Sequence, residues 1–180
     1  MQLRKYSLSA SKPRVPLMSN GRPQMASLYL NNVETELLRL LAEHGVKFIV
    51  VGGHAVQFHG HLRPAKDLDV FFSTEGDNPF KLQSALVAAR VPVAQIPIAS
   101  LSSPTAQVRI GGWHNTELLG YIVGVSFEEA YSGAISVSEL NVNARVSVIS
   151  LAHLIQNKRT LGRPQDLEDV AALERITNAA

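Results

Sequence analysis

The stretch VVGGHAVQFHGHLRPAKDLDVFF, residues 50–72, sets the strongest limit on what this chain can fold into. An apolar run, KFIVV (47–51), ends at Gly52–Gly53, and a second one, DLDVFF (67–72), carries Asp67 and Asp69 with a single leucine between them. Short runs rich in β-branched and aromatic residues, bounded by glycine or polar residues, read as strands. Alternate residues of a strand share a face, so Asp67 and Asp69 project together while Leu68 and Val70 point into a core. Carboxylates side by side repel, and burying either without a partner is costly. A cation between them relieves both problems.

Hard oxygen donors with open positions suit Mg²⁺, which takes one or two carboxylates and completes its shell with water and phosphate oxygens. Gly52 and Gly53 end one strand and open a short helix over HAVQFHG, where backbone N–H groups can approach a phosphate. A Gly–Gly turn alone is more often structural, and an Asp-x-Asp alone is more often a solvated strand edge. In this order they suit metal-assisted phosphoryl transfer, with one or two Mg²⁺ ions neutralising a triphosphate while an acceptor oxygen is activated.

The remaining chain supplies a scaffold of mixed type. Asn31 and Glu34 have capping-box spacing ahead of a leucine-rich helix that ends near Gly45. A helix is expected over 78–90, an irregular Pro/Ser-rich passage over 91–105, strands over 106–110, 116–124 and 144–150, and helices after Ser150 and Pro164. Strands and helices interleaved around one core predict an α/β or α+β domain, a mixed β-sheet with helices packed on it, over residues 28–180. Residues 1–27 hold five basic residues and no acidic ones, which leaves 12 basic against 15 acidic side chains for the rest. They read as a flexible basic arm, either a solvated extension or a nucleic-acid contact. The folded body carries no charge excess of the kind a nucleic-acid-binding face shows. The chain has no cysteine, so disulfides and zinc–thiolate sites are excluded, and no apolar run is long enough to span a bilayer. These features fit a cytoplasmic protein with no membrane partner.

The run HGHLRPAKDLDVFF (59–72), together with Gly52 and Gly53, resembles the nucleotidyltransferase superfamily with the DNA polymerase β type of fold, in its minimal AbiEii-like and MNT-like toxin–antitoxin branch. TELLGYIVGVSFEEA (116–130) is similar to that family's third-carboxylate strand and places Glu117 where an Asp is usual. LAHLIQNKRTLGRPQDLEDVAAL (151–173) resembles the branch's C-terminal signature through Lys158, Gly162, Arg163, Asp166 and Asp169. The resemblance covers roughly residues 33–174. It implies a Mg²⁺-dependent nucleotidyltransferase moving NMP from an NTP to a hydroxyl, with Asp67, Asp69 and Glu117 as the catalytic and metal-binding set. It implies Gly52, Gly53, Arg63, Lys66, Lys158 and Arg163 as nucleotide-binding. The acceptor it implies is a tRNA end, a protein side chain or a small molecule, and a cognate antitoxin or other partner protein is implied as well.

Each assignment has a plainer counterpart. Lys158 is equally read as a helix C-terminal lysine and Arg163 as an inter-helix arginine paired with Asp166 or Asp169, and Arg63 and Lys66 as solvated loop charges. Glu117 is one methylene longer than Asp, which admits the alternative of a catalytically lapsed nucleotidyltransferase-fold module that works through a partner. His54, His59 and His61 match no zinc spacing and are expected in packing or solvent roles. Trp113–His114 reads as a hairpin tip, with stacking on a base as its functional counterpart.

Overall fold

In the computed structural model, residues 28–137 and 146–179 are described, and the basic segment 1–27 and the first two residues of the strand expected over 144–150 lie outside them. The first element forms as its sequence requires. Asn31 Oδ1 accepts from the N–H groups of Val33 and Glu34 at 2.9 and 3.0 Å, and Glu34 returns the bond to Asn31 N–H at 2.8 Å. This capping box starts α1 (Asn32–Glu43), whose Leu37, Leu38 and Leu41 are fully buried. Gly45, at φ +66°, turns the chain into β1 (Phe48–Val50).

The chain continues through α2 (Gly52–Phe58), β2 (Leu68–Phe72), α3 (Asn78–Ala88), α4 (Ile98–Leu101), β3 (Gln107–Ile110), β4 (Thr116–Leu119), α5 (Phe127–Ser132), β5 (Ile135–Val137), β6 (Val146–Val148), α6 (Leu151–Leu161) and α7 (Pro164–Ala179). The strands form one six-stranded sheet in the order β3-β4-β2-β1-β6-β5. Strand β2 runs antiparallel to β1 and parallel to β4, β6 is parallel to β1, and both outer pairs are antiparallel. The architecture is mixed α/β. Phe48, Ile49 and Val50 of β1 and Leu68, Val70, Phe71 and Phe72 of β2 are all buried, as expected of central strands covered on both faces. Asp69 is the one β2 residue that is not fully buried.

Three expectations need correction. The strand expected over 116–124 stops at Leu119, because Gly120 turns its N–H to Ala106 O at 2.7 Å and a Cβ there would lie 2.6 Å from Thr74 and 2.9 Å from Ala106. The passage 91–105 is not wholly irregular: a 3₁₀ turn (Val93–Gln95) and α4 fold within it, driven by burial of Ile96 and Leu101. Asp67 lies one residue before β2, whose ladder begins with Leu68 N–H donating to Asn115 O at 3.1 Å. Strand β5 was not anticipated: it is three residues long, pairs antiparallel with β6 and buries only Val137. Among the described residues no helix is long and apolar enough to cross a membrane.

One buried side chain pins the far end of the central strands. Asn78 Oδ1 accepts from Lys47 N–H at 2.7 Å, and its Nδ2 donates to the carbonyls of Lys47 and Ser73 at 3.2 and 2.6 Å. Asn78→Ala removes three bonds at a buried site and should destabilise the fold by about 3 kcal/mol in urea unfolding. A loss under about 1 kcal/mol would show that the pin is dispensable.

Candidate metal centre

Asp69 reaches its position because the residue beneath it has no side chain. Gly52 sits at φ +61°, and a Cβ built on it would lie 1.8 Å from Asp69 Oδ2. Glycine is required there twice, for the backbone conformation and for the space. The Gly53 N–H favours the ionised form of the Asp69 carboxylate, and the Asp69 carbonyl accepts from Val51 N–H at 3.0 Å. The turn opening α2 is thus clamped to β2 by the aspartate that the strand displays.

The register of the sheet brings the third carboxylate alongside. Asp69 is paired with Glu117 across the parallel β2–β4 ladder. Asp67, Asp69 and Glu117 each offer a carboxylate oxygen, all within 4.8 Å of one another, from half-buried positions. An all-carboxylate oxygen set of this spacing fits a hard divalent cation such as Mg²⁺ or Mn²⁺ and not a thiophilic metal. Burial, then the neighbouring charges of Asp67 and Glu117, push the Asp69 carboxyl up to about 6.

Two residues of β3 hold the other carboxylates, and sequence reasoning did not single them out. Arg109 Nη2 lies 3.1 Å from Asp67 Oδ2, and Gln107 Nε2 donates to Glu117 Oε1 at 2.6 Å. Their spacing of two on a strand, beside a hairpin partner carrying Glu117, was the available signal. Arg109 is directly paired with Glu117 in the β3–β4 ladder. His54, buried in α2, approaches Glu34 at 3.6 Å and the Asp67 carbonyl at 3.2 Å, which ties α1 to the edge of the site. His59, which caps the end of α2, is a packing residue bonded to Ile149 O at 2.8 Å.

The C-terminal motif residues form an ion network. Lys158, nearly inaccessible, pairs with Asp166 at 3.0 Å and Asp169 at 2.7 Å. Arg63 forks onto both Asp169 oxygens at 2.6 and 2.7 Å, and Arg163 pairs with Asp166 at 2.5 Å. Burial alone would raise both carboxyls, but hydrogen bonds from Arg163 and Lys158 to Asp166, and from Arg63 and Lys158 to Asp169, hold them below the usual range. Arg63 Nη1 lies 3.5 Å from where a Gly53 Cβ would be, so the network abuts the Gly–Gly turn. Arg163 is well exposed and feels the charges of Asp69 and Glu117. The structure therefore gathers Gly52, Gly53, Arg63, Asp67, Asp69 and Glu117. Arg163 stands within range of the carboxylates, exposed Lys66 adjoins Asp67 in sequence, and Lys158 is enclosed among carboxylates.

No family model matches the sequence, and a search of characterised proteins returned no relative.

Two outcomes follow from these charges. The folded-state pKa of Asp69 lies above its unfolded value, so stability falls as pH rises from about 4 to about 6 and levels off above that. Without divalent metal, Asp69→Asn should be more stable than wild type at pH 7 by up to about 3 kcal/mol, the gap closing towards pH 4. A variant no more stable than wild type at pH 7 would contradict the repulsion. Lys158→Met leaves two buried carboxylates short of a cation and should cost about 3–5 kcal/mol in denaturant; a near-neutral effect would remove the network's structural role.

Proposed function

We propose that this protein is a divalent-metal-dependent nucleotidyltransferase of the DNA polymerase β type of fold, moving NMP from an NTP to a hydroxyl acceptor. The observation that carries the reading is the convergence of Asp67, Asp69 and Glu117 on one point beside the Gly52–Gly53 turn. The strand arrangement supports it: the aspartate strand β2 lies antiparallel to the strand before the turn and parallel to the glutamate strand. Exposed Arg163, which feels the charges of Asp69 and Glu117, meets the triphosphate, while Arg63 and Lys158 fix the floor behind the turn.

Asp67, Asp69 and Glu117 would hold Mg²⁺, which when bound supplies positive charge to the phosphate oxygens. The acceptor oxygen attacks the α-phosphorus; the new O–P bond forms as the bond from the α-phosphorus to its bridging oxygen breaks, and pyrophosphate leaves with that electron pair. Glu117 takes the proton that the acceptor hydroxyl gives up. Arg109 and Gln107 orient Asp67 and Glu117 for these tasks.

Thermal melting with each NTP, with and without Mg²⁺, tests the reading whatever the acceptor is. Wild type should gain about 2.7 kcal/mol at a hundredfold excess over the dissociation constant. Asp69→Asn should lose the Mg²⁺-dependent part of the gain, and Glu117→Gln should lose transfer more than binding. Identical responses of wild type and Asp69→Asn to every nucleotide and metal would refute the metal site. Nucleotide binding with no transfer to any hydroxyl would leave the binding-module alternative.

A further inference from the structure

Trp113 is the only tryptophan of the chain, and it is 90% exposed. An isolated exposed apolar residue ordinarily means nothing, so its surroundings decide. It sits at the middle of the five-residue loop between Ile110 and Thr116, the last paired residues of the β3–β4 hairpin. Gly111 and Gly112 have open space where a Cβ would be, so the tip stands clear of the body. Yet its base is fixed to the carboxylate strand. Asn115, held at φ +36°, donates from Nδ2 to Lys66 O and accepts at its carbonyl from Leu68 N–H at 3.1 Å. Those two residues flank Asp67 on either side. A positive φ at a non-glycine residue is strain maintained by its surroundings, and it occurs here at the joint between tip and site. Trp113 is four residues from Glu117, so their Cα atoms are no more than about 14 Å apart.

The sheet order fixes which side of the carboxylates this tip occupies. The Gly52–Gly53 turn and Arg63 lie on the β1 side of β2, whereas β3 and its hairpin lie on the far side of β4. A triphosphate on the Gly–Gly turn leaves the hairpin side for the acceptor. That side offers a projecting indole with two exposed cations near its base, Arg109 and Lys66. An indole face for a base and cations for the flanking phosphates are the elements by which proteins hold single-stranded nucleic acid.

We infer that Trp113, with Arg109 and Lys66, forms the acceptor platform, and that the acceptor is a single-stranded nucleic acid whose terminal base stacks on Trp113 while its terminal hydroxyl points to Glu117. The inference rests on the nucleotidyl-transfer reading above. It explains why the base of a hairpin carrying an exposed indole is bonded to the backbone on both sides of Asp67.

Because Trp113 is the sole tryptophan, its fluorescence reports on the platform directly. The probe is a short single-stranded RNA with a free 3′-hydroxyl, titrated in EDTA without NTP. The same strand with an abasic terminus serves as one control and NTP alone as another. The intact strand should quench the emission and the abasic strand should not. Trp113→Ala, at a site that buries nothing, should bind the strand about tenfold or more weakly, with Trp113→Phe retaining most of the affinity. Arg109→Gln should reduce the salt dependence of binding by about one phosphate contact. No quenching by RNA, or equal RNA binding by wild type and Trp113→Ala, overturns the inference. Quenching by NTP alone also overturns it, by assigning the tip to the donor. A Mg²⁺-dependent NTP response without RNA quenching defeats this inference alone; RNA quenching without any Mg²⁺–NTP response defeats the transfer reading and leaves the platform standing.

Discussion

The packing of the Asp69 carboxylate onto the bare backbone of Gly52 is the contact on which the site depends. It allows β2 to lie against β1 with a carboxylate at the end of an otherwise apolar pair. Any side chain at position 52 would push Asp69 away or break the turn that opens α2. The same contact brings the Gly53 N–H to the carboxylate and holds the strand in the register that sets Asp69 opposite Glu117. Backbone geometry, strand pairing and charge placement are therefore one constraint.

Around this point the charges are arranged in two belts of opposite character. The inner belt, Asp67, Asp69 and Glu117, is self-repelling and leaves Asp69 hard to ionise. The outer belt is satisfied within itself, with Lys158, Arg63 and Arg163 shared between Asp166 and Asp169. Buried networks of the second kind contribute little net stability, but removing one member is costly, so they fix geometry. Here the network locks α6 and α7 to the loop that leads into β2. The strained belt is thus mounted on a rigid one, which is the arrangement a site needs if a cation is to find its ligands already in place.

Much of this was legible in the residues. The capping box at Asn31 and Glu34, the two central strands and the shared face of Asp67 and Asp69 follow from local periodicity, and the structure bears them out. What was not legible is long-range. Arg63 and Asp169 are 106 residues apart, and no local pattern distinguishes a guanidinium bound to a carboxylate from one turned to solvent. Strand β4 read too long because Tyr121, Ile122 and Val123 after Gly120 look like strand, whereas the glycine itself is squeezed between Thr74 and Ala106. Arg109 and Gln107 were hidden in a strand whose residues read as serving only the sheet. Their roles depend on which strand β3 pairs with.

Everything proposed for this protein requires that the three carboxylates hold metal for nucleotide chemistry. A crystal structure with Mn²⁺ and a non-hydrolysable NTP, phased on the anomalous signal of the metal, measures that directly. The expected result is a peak bonded to oxygens of Asp69 and at least one of Asp67 and Glu117, at about 2.0–2.3 Å, with phosphate oxygens completing the shell. A map with no peak among the three carboxylates, and nucleotide bound elsewhere or not at all, would contradict it.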